Sequence, residues 1–238
     1  MTMSTINSKN IFAMFILVVV ATFTTYAHIP GPNYIYKCPK CSNLLKRGSN
    51  ISGNTFGATL YSDGKMIAPM FPEFPNLTKC KKCDTILWLS ETKELGTCGA
   101  PDKKCKTEWQ NADRAEFLEV SDLFRFLEFD TVQNNKEKEK IVRQQIWWTF
   151  NDRVREGKEI FNGETEEDLW KLNCQRLIEL FDMTDINQKV MVAELYRQLG
   201  DFDECLKIIN SLDEQYDWIV NKLKIECENG NKQLVKLI

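Results

Sequence analysis

The stretch YKCPKC, Tyr36–Cys41, returns in shortened form as KCKKC, Lys79–Cys83, and the reading of these two Cys-x-x-Cys pairs decides the fold of the first half of the chain. Each pair closes a tight turn whose two sulfurs converge. Two such turns facing one another give a tetrahedral shell of four sulfurs. Between Cys41 and Cys80 lie 38 residues. Within them, TFGATLYSDGKMIAPM reads as two strands around the turn Ser62-Asp63-Gly64-Lys65, because Asp-Gly suits a tight hairpin. DTILWLS, after the second pair, reads as another short strand.

Cys38, Cys41, Cys80 and Cys83 are therefore the expected metal ligands, in the manner of a zinc ribbon spanning about Tyr36 to Leu89. Zn²⁺ is the expected ion, in a structural role: it replaces a core that so small a β-module cannot build. Lys37, Lys40, Lys79, Lys81 and Lys82 surround the pairs and offset the charge of a zinc bound by four thiolates. Iron held by four thiolates fits the same spacing. Two other readings stand beside the metal. Disulfides across the two pairs would suit an exported chain. A dithiol redox site needs one Cys-x-x-Cys at a helix start, and neither pair opens a helical pattern.

Compartment is read from the N-terminus. Lys9 is followed by the uncharged apolar run Ile11–Phe23, with Thr25 and Ala27 at the −3 and −1 positions of a cleavage site. That is the plan of a secretory leader over residues 1–27, giving an exported body. The run is short of the ~20 apolar residues of a membrane span. Retained as an anchor over residues 11–27, it would make the membrane a partner, and Lys37, Lys40, Lys46 and Arg47 on its flank would favour a cytoplasmic body. A mistaken start codon is a third reading. Cys98 and Cys105 flank GAPDKK in a turn-rich loop and, in an exported chain, have the spacing of a local disulfide. Cys174, Cys205 and Cys227 fall on or near apolar helical faces and read as small core residues.

From about Asn111 the periodicity becomes helical. Leu118, Leu123, Phe126 and Leu127 share a face, with Ser121 as the expected N-cap. NNKEKEK separates that segment from IVRQQIWWTFNDRVR, where Ile146, Phe150 and Val154 form one stripe. Thr165 with Asp168 resembles a capping box opening the next helix, lined by Trp170, Cys174, Leu177, Ile178 and Phe181. Helices over Ile186–Leu199 and Phe202–Leu212 meet at Gly200-Asp201. A last pair, Glu214–Glu228 and Lys232–Ile238, breaks at Asn229-Gly230-Asn231. Trp147 and Trp148 are adjacent, so one is expected in the core and the other at an inter-helix seam.

The chain thus divides into a leader or anchor (1–27), a zinc-ribbon β-module (28–97), a linker (98–110) and a helical region (111–238), an α+β arrangement. Residues 28–97 carry nine basic and five acidic side chains, and residues 106–238 carry 19 basic and 28 acidic. The opposite signs read either as two modules that attract one another or as two solvated surfaces of different composition.

VMVAELYRQLGDFDECLKIINSL resembles one tetratricopeptide-type helix pair: Ala193 and Tyr196 take the family's small and aromatic positions, Gly200, Asp201 and Phe202 its turn. Cys205 stands where the family usually has Ala, and the closing Pro is absent. The resemblance implies a helical-repeat-like scaffold that binds proteins. The whole arrangement is similar to a group of uncharacterised bacterial proteins with an N-terminal zinc ribbon, a Ser-Gly-Asn-Thr-Phe-Gly segment (here Ser52–Gly57) and a tetratricopeptide-like tail. That resemblance implies no activity.

Signals for catalysis are missing. A four-thiolate shell leaves no open position for water. The single His, His28, has no second His to complete a copper or zinc site. SGNTFG lacks the lysine and helix of a phosphate loop, and there is no Gly-x-Ser-x-Gly elbow. The expectation is a non-enzymatic zinc-binding protein whose helical region meets another protein. The alternatives are a nucleic-acid-binding zinc ribbon, against which the chain's acidity counts, and an exported thiol redox protein.

Overall fold

A computed structural model describes residues 28–99 and 105–238. The leader or anchor expected over residues 1–27 lies outside the described residues, as do residues 100–104 of the linker. The architecture is α+β: small sheets fill the first part and helices the second.

The β-part is built from short antiparallel pieces. Strands β1 (Ile29–Pro30) and β4 (Asn50–Ser52) pair with each other. A four-stranded sheet follows the order β10 (Asp113–Arg114), β3 (Leu44–Arg47), β2 (Asn33–Lys37), β9 (Glu94–Cys98), with β10 parallel to β3 and the other neighbours antiparallel. Strands β5 (Thr59–Leu60) and β6 (Met66–Ile67) form the hairpin around Ser62-Asp63-Gly64-Lys65. Strands β7 (Leu77–Lys79) and β8 (Ile86–Trp88) form another around the second cysteine pair. Successive strand residues point to opposite faces, and β8 uses this to join the two halves of the molecule. Leu87 packs with Cys38, Cys80 and Leu45, whereas Ile86 and Leu77 enter the main helical core.

The helices are α1 (Thr107–Gln110), α2 (Val120–Leu127), α3 (Asp130–Gln133), α4 (Lys136–Arg155), α5 (Glu164–Leu180), α6 (Ile186–Leu199), α7 (Phe202–Ile209) and α8 (Asp217–Glu228). The core gathers on α4, where Val142, Ile146, Trp147 and Phe150 are fully buried. Phe150, Phe161 and Trp170 form an edge-to-face chain with centroids 5.7 and 5.4 Å apart. Trp147 is the core member of its pair and donates Nε1–H to Gln198 Oε1 at 2.7 Å. Trp148 is half-buried, and its seam is with the β5–β6 hairpin rather than with a helix, since its Nε1–H meets the Asp63 carbonyl at 3.0 Å.

Several helix boundaries differ from the sequence reading, among them the end of α7 at Ile209 and the start of α8 at Asp217. NNKEKEK is not a separator: Asn135 caps α4 by accepting from the Lys138 N–H, and the lysines and glutamates form the first turn, where acids suit the dipole. Thr165 lies inside α5, whose N-cap is Gly163, and α2 starts after Glu119 rather than at Ser121. Lys232–Ile238 is not a helix. The tail instead extends beside β5, where the strand edge and Arg197 take its backbone groups: the Leu237 N–H donates to the Leu60 carbonyl at 2.8 Å and the Ser62 N–H to the Val235 carbonyl at 2.9 Å. Between α6 and α7 the expected turn forms, with Gly200 left-handed (φ 91°) and Asp201 accepting from the Glu204 N–H.

Two ion-pair groups fix α4 against α5, Arg153 with Glu166 at 2.6 Å and a cluster around Glu139. The Glu139 carboxylate accepts from Arg176 Nε at 2.9 Å and Arg143 Nε at 2.8 Å. The Arg176 hydrogen bonds, more than those of Arg143, bring its pKa down to about 2 against the opposing effect of burial. Because the folded value is depressed, the stabilisation is complete above the unfolded value of about 4.3 and is lost as pH falls through the folded value. Urea midpoints measured between pH 5 and 2 are expected to fall more steeply in the native chain than in Glu139→Gln.

Candidate metal centre

The two Cys-x-x-Cys turns are built alike. In the first, the Cys38 N–H donates to the Asn43 carbonyl at 2.8 Å and the Ser42 N–H to the Cys38 carbonyl at 2.9 Å. In the second, the Cys80 N–H donates to the Thr85 carbonyl and the Asp84 N–H to the Cys80 carbonyl, both at 2.9 Å. Each turn reverses through one left-handed residue, Ser42 (φ 62°) or Asp84 (φ 55°). These are the two non-glycine residues with positive φ among those described, a conformation uncommon outside Gly, Asn and Asp. The repeated geometry sends the backbone N–H two residues past the second cysteine onto its sulfur, Asn43 to Cys41 and Thr85 to Cys83.

The turns face each other, and all four sulfurs lie within 4.8 Å of one another. Cys38 Sγ is 3.6 Å from Cys83 Sγ, and Cys41 Sγ is 3.6 Å from Cys80 Sγ. A tetrahedron with metal–sulfur bonds of about 2.3 Å has edges of about 3.8 Å. The donor set therefore fits a thiolate-bound metal, with Cys38 and Cys80 fully buried and Cys41 and Cys83 at the rim. Among the described residues this is the one group of three or more metal-ligating side chains that comes together.

Neighbouring donors orient the shell, as supporting partners do in metal sites. Thr85 Oγ1 lies 3.2 Å from Cys83 Sγ. Asn43 Nδ2 points at Cys80 Sγ from 3.8 Å while donating to Asp113 Oδ2 at 2.7 Å, which brings β10 to the site. The Thr85 hydroxyl and N–H pull Cys83 down to about 6, whereas burial raises Cys80. At Cys41 the Asn43 N–H lowers the pKa, but desolvation and the other sulfurs prevail and push it up to about 12. Four thiolates side by side repel one another, and a bound cation is what lets all of them ionise.

The lysines around the turns do not all serve the sulfurs. Lys79 pairs with Asp122 of α2 at 2.6 Å and Lys81 with Glu116 at 2.7 Å, so the second turn is fastened to the chain entering the helical half. Lys37, Lys40 and Lys82 remain solvent-exposed beside the site. Of the other cysteines, Cys98 and Cys105 are joined as a disulfide with Cα atoms 4.9 Å apart. Cys174, Cys205 and Cys227 are buried in the main core. His28, by contrast, bonds Asn50 Oδ1 through Nε2 at 2.6 Å.

A buried polar network couples the β5–β6 hairpin to the helices, and the sequence reading missed it. Ser62 and Asp63, at the hairpin tip, are fully buried. Gly64 takes the turn's left-handed position (φ 78°) under Met191 of α6. The Asp63 carboxylate accepts from Asn151 Nδ2 at 2.9 Å and from Arg155, and Lys65 pairs with Asp152 at 2.7 Å. Ser62 Oγ donates to Glu194 Oε1 at 2.7 Å. Burial pushes the Glu194 carboxyl up, opposed by Arg197, which donates to it through bonds of 2.7 and 2.8 Å. Arg197 also takes the Asn231 carbonyl and, at 2.7 Å, the Gln233 carbonyl, fixing the tail. The hairpin thus lies between the cysteine pairs in sequence but plugs into the helical half. The visible signal was a Ser-Asp turn together with a Glu-x-x-Arg-Gln run on a helix whose other buried positions are apolar.

Comparison with protein-family models, with curated proteins and with solved structures returns no match. The family likenesses read from the sequence therefore remain resemblances, and the site is interpreted from its own chemistry.

Proposed function

We propose that the chain is a non-enzymatic zinc protein, in which a structural Zn²⁺ on Cys38, Cys41, Cys80 and Cys83 clips a ribbon to a helical scaffold that meets another protein. The observation that carries this reading is the four-sulfur cluster with near-tetrahedral edges and two matched supporting turns. Bound zinc supplies charge neutralisation and a fixed fold; with four thiolates it has no vacant position for a substrate. A protein partner is supported by large apolar side chains left exposed on the outer helical faces: Leu169, Leu172, Trp218 and Ile225. A cleft of about 500 Å³ between residues 65–73 and α4, lined by Met66, Ile67, Phe71, Phe117 and Trp148, lends further support.

The nucleic-acid alternative is disfavoured by Lys79 and Lys81 being engaged with Asp122 and Glu116, which leaves fewer free cations to meet phosphates. The redox alternative is disfavoured by two facing turns, neither at the N-terminus of a helix. Export after cleavage of the leader is part of the proposal.

Elemental analysis of the purified chain is expected to give one zinc per chain, removable by a chelator together with the near-ultraviolet signal of the ribbon. Labelled duplex and single-stranded oligonucleotides are expected to show no anisotropy change at low salt. Binding that falls steeply with salt would replace the protein-partner reading with the nucleic-acid one; iron in place of zinc would change the ion but not the ligands.

A further inference from the structure

The nine cysteines occupy unlike surroundings. Four share the sulfur cluster, where a single cation can shield all of them. Cys98 and Cys105 are already joined. Cys174 sits fully buried in the main core, where desolvation holds its thiol well above the ordinary value and leaves it inert. Cys205 of α7 and Cys227 of α8 are buried in the same core as Cys174 but, unlike it, lie against one another. Their sulfurs lie 3.4 Å apart, Cys205 with no exposed surface and Cys227 with 6%. No third metal-ligating side chain joins them among the described residues, and the Arg197 guanidinium that acts on both sulfurs is itself engaged by Glu194 and the tail carbonyls.

We propose that Cys205 and Cys227 are a cross-linking site, closing as a second disulfide that ties α8 to α7 when the chain folds in the presence of a glutathione-class disulfide. The inference goes beyond the zinc reading and stands or falls separately from it. A disulfide needs the sulfurs about 2.05 Å apart, a closure of about 1.4 Å from the 3.4 Å between them. Balance is kept by exchange. One cysteine sulfur attacks the small disulfide, forms a mixed disulfide and expels one glutathione thiolate. The second cysteine sulfur then attacks the protein sulfur of that mixed bond and expels the other. The two cysteine protons pass to the two glutathione thiolates, and the small disulfide is reduced as the protein pair is oxidised.

Neither sulfur is open to an oxidant once α8 is seated, so exchange precedes the docking of this last helix. The cross-link then fixes α8, and with it the tail that Arg197 holds against the hairpin. The reaction leaves five thiols, the four of the cluster and Cys174.

The test uses the full chain, unfolded and refolded with zinc in a glutathione–glutathione disulfide buffer. The sample is acid-quenched, alkylated under denaturing, chelating conditions without reductant, and mapped by mass spectrometry. The expected result is a peptide linked through Cys205 and Cys227, two hydrogens lighter than its reduced parts, with Cys38, Cys41, Cys80, Cys83 and Cys174 alkylated. Alkylated or glutathione-capped Cys205 and Cys227 overturn the proposal, whatever the state of Cys98–Cys105. As a second measurement, the refolded chain is expected to unfold at higher urea than Cys227→Ala, by a margin that shrinks on reduction. A margin unchanged by reductant contradicts the bond.

Discussion

Cys80→Ser is expected to leave the purified chain without stoichiometric metal and to unfold the ribbon while most helix is retained. Cys80 is the fully buried ligand of the second turn and contacts Cys41 at 3.6 Å, so its loss opens the shell on its interior side. Apparent binding free energies of structural zinc are about 10–16 kcal/mol, and a site without one of its thiolates forfeits a large share of that. The consequence does not stop at the ribbon. Strands β7 and β8 lend Leu77 and Ile86 to the helical core, and exposing each costs about 1.5–3 kcal/mol. The melting temperature of the helical signal should therefore fall as well, by an amount that chelation of the native chain reproduces. A Cys80→Ser protein that keeps one zinc and melts like the parent would show that the four sulfurs do not act as one site.

The second large effect concerns Arg197. It is fully buried, neutralises Glu194 and satisfies two tail carbonyls, and Glu194 in turn holds Ser62 at the hairpin tip. Arg197→Ala leaves a buried carboxylate unpaired, which costs about 3–5 kcal/mol. Urea unfolding should register that loss, and amide exchange should quicken at Leu60, Ser62 and Leu237, whose N–H groups bind the tail or the hairpin. The double variant Glu194→Gln/Arg197→Met is expected to recover part of the stability, because it removes both charges together. A single variant losing less than about 1 kcal/mol would mean that the network is wetter than its burial implies.

The contrast between these sites explains what could be read from the sequence. Cys-x-x-Cys is legible because two thiols at that spacing have few uses, and local backbone geometry brings their sulfurs together. The helices were legible wherever an apolar stripe ran unbroken, as at Ile146 and Phe150 or Trp170, Cys174 and Leu177. Helix ends were less so: Asn135 caps α4 through a single side-chain bond inside a charged run that reads as a linker. The tail failed for another reason. Its conformation is set by Leu60, Ser62 and Arg197, far away in sequence, and no local periodicity carries that information. Glu194 and Arg197 were passed over because charged residues are almost never fully buried unless paired, and the pair is recognisable only once Ser62 arrives from the hairpin. Disulfide spacing at Cys98 and Cys105 was local and legible. The approach of Cys205 to Cys227 needed the packing of α7 on α8.

X-ray absorption at the zinc edge of the purified full chain, with zinc and protein quantified in the same sample, tests the central claim most directly. One zinc per chain in a single shell of four sulfurs at about 2.3 Å is the predicted result. A shell containing nitrogen or oxygen, or a metal-free chain with Cys38, Cys41, Cys80 and Cys83 recovered as disulfides, would contradict it.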